Sequence, residues 1–236
     1  MRILLSLTGP QLMDEKYKHE GERAQEKFRF NLERKDWVLE KDCPEEGITI
    51  KSAYDKETKD YFLYTVATMD FESEWLNQDL LEHTLDVTAE WSSDCKDFTV
   101  VQRWPADLFV LAHQVFEKRA LGISATRDVV YLMQGRIEGD RRSSVMFSTE
   151  WPGLEPTKKM VRGTVNKGSG LVLFPDPERR STRTLMHWMA STDMKIPFLP
   201  KGILVPVYAM ACRQYILDLR RYQVTRWMEH LDALRG

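Results

Sequence analysis

The chain has 236 residues, 42% of them hydrophobic and 30% charged, with a mean hydropathy of −0.45, an ordinary globular composition and not a disordered or membrane-spanning one. A net charge of −2 gives no global field to attract nucleic acid, so no nucleic-acid partner is expected. Three dispersed cysteines, Cys43, Cys95 and Cys212, lack metal-ligand spacing and favour a reducing, cytoplasmic setting.

The apolar core of the opening "MRILLSL" is too short for a signal peptide. Residues 12–35 are charged, with Tyr17, Ala24, Phe28 and Leu32 at helical spacing, which predicts a surface helix. Three strand-like stretches follow, "DWVLEK", "GITIKSAY" and "DYFLYTVA", separated by turn-forming segments that imply an antiparallel meander. Residues 71–91 place Leu76, Leu80, His83 and Val87 on one helical stripe, with His83 expected in the core or at its boundary. Further strands are predicted at "DFTVVQRW", "DLFVLAHQVFEK", "RDVVYLMQGRI", "SSVMFSTEW", the long "KMVRGTVNKGSGLVLF" and "TRTLMHWMAS". From about 201 to 234, Leu204, Tyr208, Ala211, Tyr215, Leu219 and Tyr222 recur at three and four, marking a long amphipathic helix. Pro206 either starts that helix or bends it. No linker or repeat divides residues 1–236, so one domain is expected. Strands grouped in runs with helices between and after them predict an antiparallel α+β fold.

Specific words in this order resemble the START domain, the StAR-related lipid-transfer family. "ATRDVVYL" (125–132) resembles that family's Arg-Asp-aromatic strand opening, and "MVRGTVN" (160–166) its Val-Arg strand. "STDMKIPFLPK" (191–201) resembles its Asp-x-Lys-x-x-Leu-Pro-Lys loop, here one or two residues longer, and "DVTAEWSSDCKDFTVVQ" resembles the segment leading into the fourth strand. The resemblance covers roughly residues 30–225 and implies a helix-grip fold: a curved antiparallel sheet of about nine strands wrapped around the C-terminal helix, enclosing a tunnel for one lipid. It also implies a lid, formed by the omega loop "KRALGISAT" and the C-terminal helix.

Carried over residue by residue, the resemblance places Gln114, Phe116, Val129, Tyr131, Met133, Asn166, Trp188, Ala190, Tyr208 and Ala211 on the lipid. Relatives that bind sterol keep a buried acid–base pair where this chain has Gln114 and Met133. Phosphatidylcholine-binding relatives have an aromatic cage where it has Phe116, Val129 and Asn166. Both departures argue against those cargoes, since a choline cage needs ring faces around the charge. A ceramide-binding relative shares the asparagine matching Asn166 but has a tyrosine at Trp188 and an acid at Ser92. A phospholipid, sphingolipid or other lipid with a neutral headgroup is therefore the expected partner, met by Asn166 and Gln114. Alternation would turn Leu108, Val110, Ala112, Gln114 and Phe116 inward with His113 outward. Likewise Met186, Trp188 and Ala190 would face in, with His187 out. Phe109, Leu111 and Val115 are apolar too, so periodicity alone leaves the inner face of that strand open.

Leu121, Ile123, Ile196 and Phe198, apolar in predicted loops, are expected to touch a membrane transiently as the lid opens. The five histidines have no ligand spacing, "NKGSG" lacks the Gly-Lys-Ser/Thr ending of a phosphate loop and reads as a bulge, and no GxSxG is present. No catalytic residue, metal or cofactor is expected. The dibasic pairs Arg141–Arg142, Lys158–Lys159 and Arg179–Arg180 read as solvated turns. Three functions remain open on the sequence: a monomeric lipid carrier, a lipid-sensing module without transfer, and, on a related fold, a cyclase or hydrolase.

Overall fold

The computed structural model describes residues 13–120, 123–196 and 200–235. Helix α1 (Glu15–Glu33) is capped by Asp14, whose carboxylate accepts the Lys16 N–H at 2.8 Å. Its buried stripe is Gly21, Ala24, Gln25, Phe28 and Asn31, the face expected from the 3.6-residue period. The meander follows as β1 (Val38–Cys43), β2 (Ile48–Asp55) and β3 (Asp60–Met69). Then come the short helices α2 (Ser73–Asp79) and α3 (Thr88–Trp91). Strands β4 (Cys95–Trp104), β5 (Phe109–Ala120), β6 (Ile123–Glu138) and β7 (Arg141–Ser148) complete one half of the sheet. After the two-residue strands β8 (Val161–Arg162) and β9 (Thr164–Val165), β10 (Ser169–Pro175) and β11 (Thr184–Ala190) return into it. The short β12 (Thr192–Asp193) precedes α4 (Lys201–Arg235).

The main sheet runs β1-β2-β3-β11-β10-β7-β6-β5-β4, antiparallel throughout this path, with β8 added parallel to β6. Helix α1 covers one face, where Phe28 packs with Phe62, Phe109, Leu111, Leu132 and Phe147. Helix α4 covers the other, where Val205, Ala209, Cys212, Ile216 and Leu219 pack with Ile48, Ile50, Leu63 and Met186. Because both faces are covered, Leu111 and Ala112 are equally buried, and the period-two signal of β5 disappears.

Three expectations are corrected. His83 is exposed and Thr84 is buried in its place. A π-helical turn at Leu80–Thr84, closed by the Leu85 N–H on the Leu80 carbonyl at 3.1 Å, adds one residue and rotates the stripe. Leu108 is not inward: it ends a Pro105–Asp107 turn in the left-handed region at φ 55° and is 44% exposed. The long strand predicted over residues 159–174 is three strands, and β9 pairs not with the main sheet but with β12. The chain turns at Gly168, whose φ of +95° puts it among glycine-favoured conformations; a Cβ there would meet Asn31 Nδ2 at 2.7 Å. Of the two placements left open for Pro206, the structure puts it inside α4, in the second turn and on its exposed side.

Candidate functional site: an apolar cavity under the C-terminal helix

Helix α4 packs on β1, β2 and β3, while the inward residues of β5 and β6 form a separate cluster with Val110, Ala112, Val129, Tyr131 and Met133. The space between these two walls is a cavity of about 320 Å³. Residues 77–92 close it on a third side through Leu80, Thr84, Thr88, Trp91 and Ser92.

Strand register explains why distant residues meet there. Gln114 pairs with Val129, Ala112 with Tyr131 and Val110 with Met133 across β5 and β6, so one face of the ladder presents them together. Of the residues expected on the lipid, Gln114, Phe116, Val129, Tyr131, Met133, Trp188, Ala190, Tyr208 and Ala211 line the cavity. Asn166 is not among the lining residues: its amide donates to Ser191 Oγ at 2.9 Å, and its backbone N–H to the Ser191 carbonyl. Ile196 lines the wall just before α4. Leu121 and Phe198 lie outside the described residues, as does the side chain of Ile123. Sequence reasoning missed Ser144 and Met146 on β7, Ser169 and Leu171 on β10, and Tyr215 on α4 as lining residues. Tyr215 stood on the predicted helical stripe. Ser144, by contrast, carried no signal, because a serine in a strand ordinarily marks the wet face.

The wall is largely uncharged. Tyr131 donates its hydroxyl to Gln114 Oε1 at 3.2 Å, and burial pushes its phenol far up. Burial likewise raises the Cys95 thiol to about 11, and the Tyr208 phenol to about 12 with help from Asp60 and Asp193. All three are therefore neutral at physiological pH. The charged residues among the lining set are Asp60, Asp94 and Arg127. Arg127 donates to the Met194 carbonyl at 2.6 Å.

The neighbouring Asp128 faces the opposite side of β6. Its Oδ2 lies 2.8 Å from Arg162 Nη2 and 3.0 Å from His113 Nε2, which places His113 outward as expected. Burial opposes ionisation of Asp128, yet the Arg162 and His113 contacts outweigh it and hold the carboxyl below its ordinary value. Arg127 and Asp128 together fasten the segments around Arg162 and Met194 to the cavity wall. Arg141 and Arg142 open β7, and Arg180 pairs with Asp140. Among the described residues, no group of three or more His, Cys, Asp and Glu side chains is placed to hold a metal ion, and no helix is long and apolar enough to cross a membrane.

No protein-family model matches the chain, and no curated protein sequence matches it. Solved structures do. Human StAR-related lipid transfer protein 5 superposes with a TM-score of 0.76 at 17% identity, over 89% of this chain and 97% of that one. Human STARD10 gives a TM-score of 0.70 at 16% identity, over 94% of this chain and 86% of that one. A STAR-related lipid transfer protein fragment from Xanthomonas axonopodis gives 0.61 at 14%, over 80% and 98%. The chain therefore has a START-like helix-grip fold, with a nine-stranded path of antiparallel strands and a long C-terminal helix.

Proposed function

We propose that the protein binds one lipid in the cavity between the sheet and α4 and carries it between membranes. The observation that carries this reading is the cavity itself, about 320 Å³ and walled mainly by apolar side chains, within the size range of ligand pockets. The START-like fold supports it, since neighbours of that fold are lipid transfer proteins by name. Each methylene left in water costs about 0.8 kcal/mol, so a lipid crosses between membranes readily only if protein replaces bilayer around its chain. The gate of this carrier is the segment 118–126 together with the start of α4, and it meets the membrane while the lipid moves.

The cargo is neither a sterol nor a choline lipid. Gln114 and Met133 supply no ion pair for a sterol hydroxyl, and among Phe116, Val129 and Asn166 only Phe116 offers a ring. The neutral state of Tyr131 and Cys95 supports binding over catalysis, because neither supplies a base or nucleophile at pH 7.

Native mass spectrometry of the full chain purified from cells, followed by vesicle-to-vesicle transfer of the lipid found, tests this. The expected result is one lipid per chain and transfer that scales with protein concentration. A protein that emerges empty and takes up no lipid would overturn the reading, and uptake without transfer would leave it a sensor.

A further inference from the structure

Tyr215 brings a hydroxyl from α4 to the cavity. It follows Tyr208 and Ala211 at helical spacing, and all three line the same wall. Its ring is held by Trp188 of β11, with centroids 4.7 Å apart, and by Trp91, at 5.1 Å. Among the described residues nothing hydrogen-bonds its Oη, yet protein atoms do not seal that oxygen off either. The hydroxyl therefore stays reachable from the cavity. The indole N–H of Trp188, another lining residue, is open and without an acceptor in the same way. Native proteins pair nearly all their buried polar groups. Two open ones on packed rings in an apolar wall mark a place for a polar ligand atom.

The opposite wall holds a second polar pair. Tyr131 of β6 donates to Gln114 of β5 at 3.2 Å, and both line the cavity. Burial pushes the Tyr215 phenol far up, and the nearby Cys95 thiol adds to the effect. Burial raises Tyr131 likewise, with Tyr215 itself contributing. Both phenols stay neutral.

The charged lining residues are already engaged. Asp60 holds Lys201 at 2.8 Å, Arg127 donates to the Met194 carbonyl at 2.6 Å, and Asp94 has a partner as well. An ionic headgroup beside Tyr215 would be buried without a free counter-charge. A hydroxyl or a primary amide carries no such cost. It both gives and accepts a hydrogen bond, as the phenol and the Gln114 amide do.

We infer that Tyr215 determines the specificity of this cavity: it hydrogen-bonds an uncharged, hydroxyl- or amide-bearing headgroup, which bridges α4 to the Gln114–Tyr131 pair. This rests on the lipid-carrier reading and deepens it. Helix α4 packs on β1, β2 and β3, whereas Gln114 and Tyr131 belong to β5 and β6. The cargo thus ties the covering helix to the other half of the sheet, and a loaded chain holds α4 down more firmly than an empty one.

The test titrates the delipidated full chain at neutral pH with decan-1-ol, decanamide, decanoate and decylammonium, read by isothermal titration calorimetry. The expected result is one decan-1-ol or decanamide per chain, with both ions about tenfold weaker or more. Tyr215→Phe keeps the ring and should weaken decan-1-ol about tenfold, as loss of one hydrogen bond does, while barely changing decanoate. Empty, it should melt no lower than the parent, since the hydroxyl has no protein partner. Hydrogen–deuterium exchange reads the bridge: saturating decan-1-ol should slow exchange in α4 around Tyr215 in the parent and not in Tyr215→Phe. Ions that bind as tightly as decan-1-ol overturn the inference and leave the carrier reading standing. So does a Tyr215→Phe chain that binds decan-1-ol unchanged, melts lower when empty, or keeps the slowed exchange. If no probe binds, the inference falls; if the chain also emerges from cells without lipid, the carrier reading falls with it.

Discussion

Lys201, the first residue of α4, sets its ammonium 2.8 Å from the Asp60 carboxylate at the start of β3 and 3.2 Å from Asp193 on β12. One lysine thereby ties the start of the covering helix to two points on the sheet, beside Ile196 and Tyr208 at the cavity wall. Asp60 keeps only 7% of its side chain exposed and Lys201 35%, so the pair is stronger than a surface ion pair and weaker than a buried one. Lys201→Met should cost about 1 kcal/mol and lower the melting temperature by about 2–4 °C. Because it frees the end of α4 nearest the proposed gate, lipid release to acceptor vesicles should speed up several-fold. Unchanged release beside a lowered melting temperature would show that the pair serves stability alone.

Filling the cavity should separate binding from folding. Ala211 faces the cavity from α4 and Ala190 from β11. Ala211→Trp places a ring in the space a lipid would occupy. The expected outcome is loss of lipid binding with an unchanged or higher melting temperature, because cavity filling adds apolar contact. A sharp fall in stability would mean that the space is too narrow for the ring.

His187 gives the fold a pH dependence. Its Nδ1 lies 2.6 Å from Tyr64 Oη and its ring packs on Phe174. Burial, aided by Arg141, lowers its pKa from 6.5 to about 4. A depressed folded-state value means that the neutral ring's contribution is complete above pH 6.5 and is lost as pH falls through about 4. The half-buried setting limits this contribution to about 1–2 kcal/mol. His187→Gln should flatten the decline of melting temperature between pH 6.5 and 4, as differential scanning calorimetry would show. An identical slope in both proteins would exclude His187 as its source.

Gly21 lets α1 lie directly on the sheet. A Cβ there would come within 2.5 Å of Gln134 Oε1 and 2.9 Å of Phe109 Cζ. Alanine favours a helix over glycine by about 1 kcal/mol, yet the overlap with the fully buried Phe109 ring should outweigh that gain. Gly21→Ala is expected to destabilise the protein by about 1–2 kcal/mol in urea unfolding. A stabilised variant would show that Gln134 and Phe109 yield easily.

The sequence by itself determined the kind and order of most of the elements. The repeat at three and four in α1 and α4, the alternation in β2 and β3, and the turn residues between them were sufficient, because these periods follow from the local geometry of the backbone. Words such as "ATRDVVYL" and "STDMKIPFLPK" then carried the likeness that the fold bears out, along with nine lining residues. Only the tertiary structure decided which faces meet which. A period tells which side chains share a face but not what covers it, so Phe109 and Leu111 gave the same signal under α1 as Val110 and Ala112 did beside the cavity. One extra residue in the π-helical turn at Leu80–Thr84 moved His83 into solvent, and the chain reversal at Gly168 drew Asn166 to Ser191 instead of the cavity. Ser144 shows the limit most plainly: its hydroxyl reads as surface in the sequence, yet β7 packs it into the sheet wall beside the cavity, where it is buried and without a hydrogen-bond partner among the described residues.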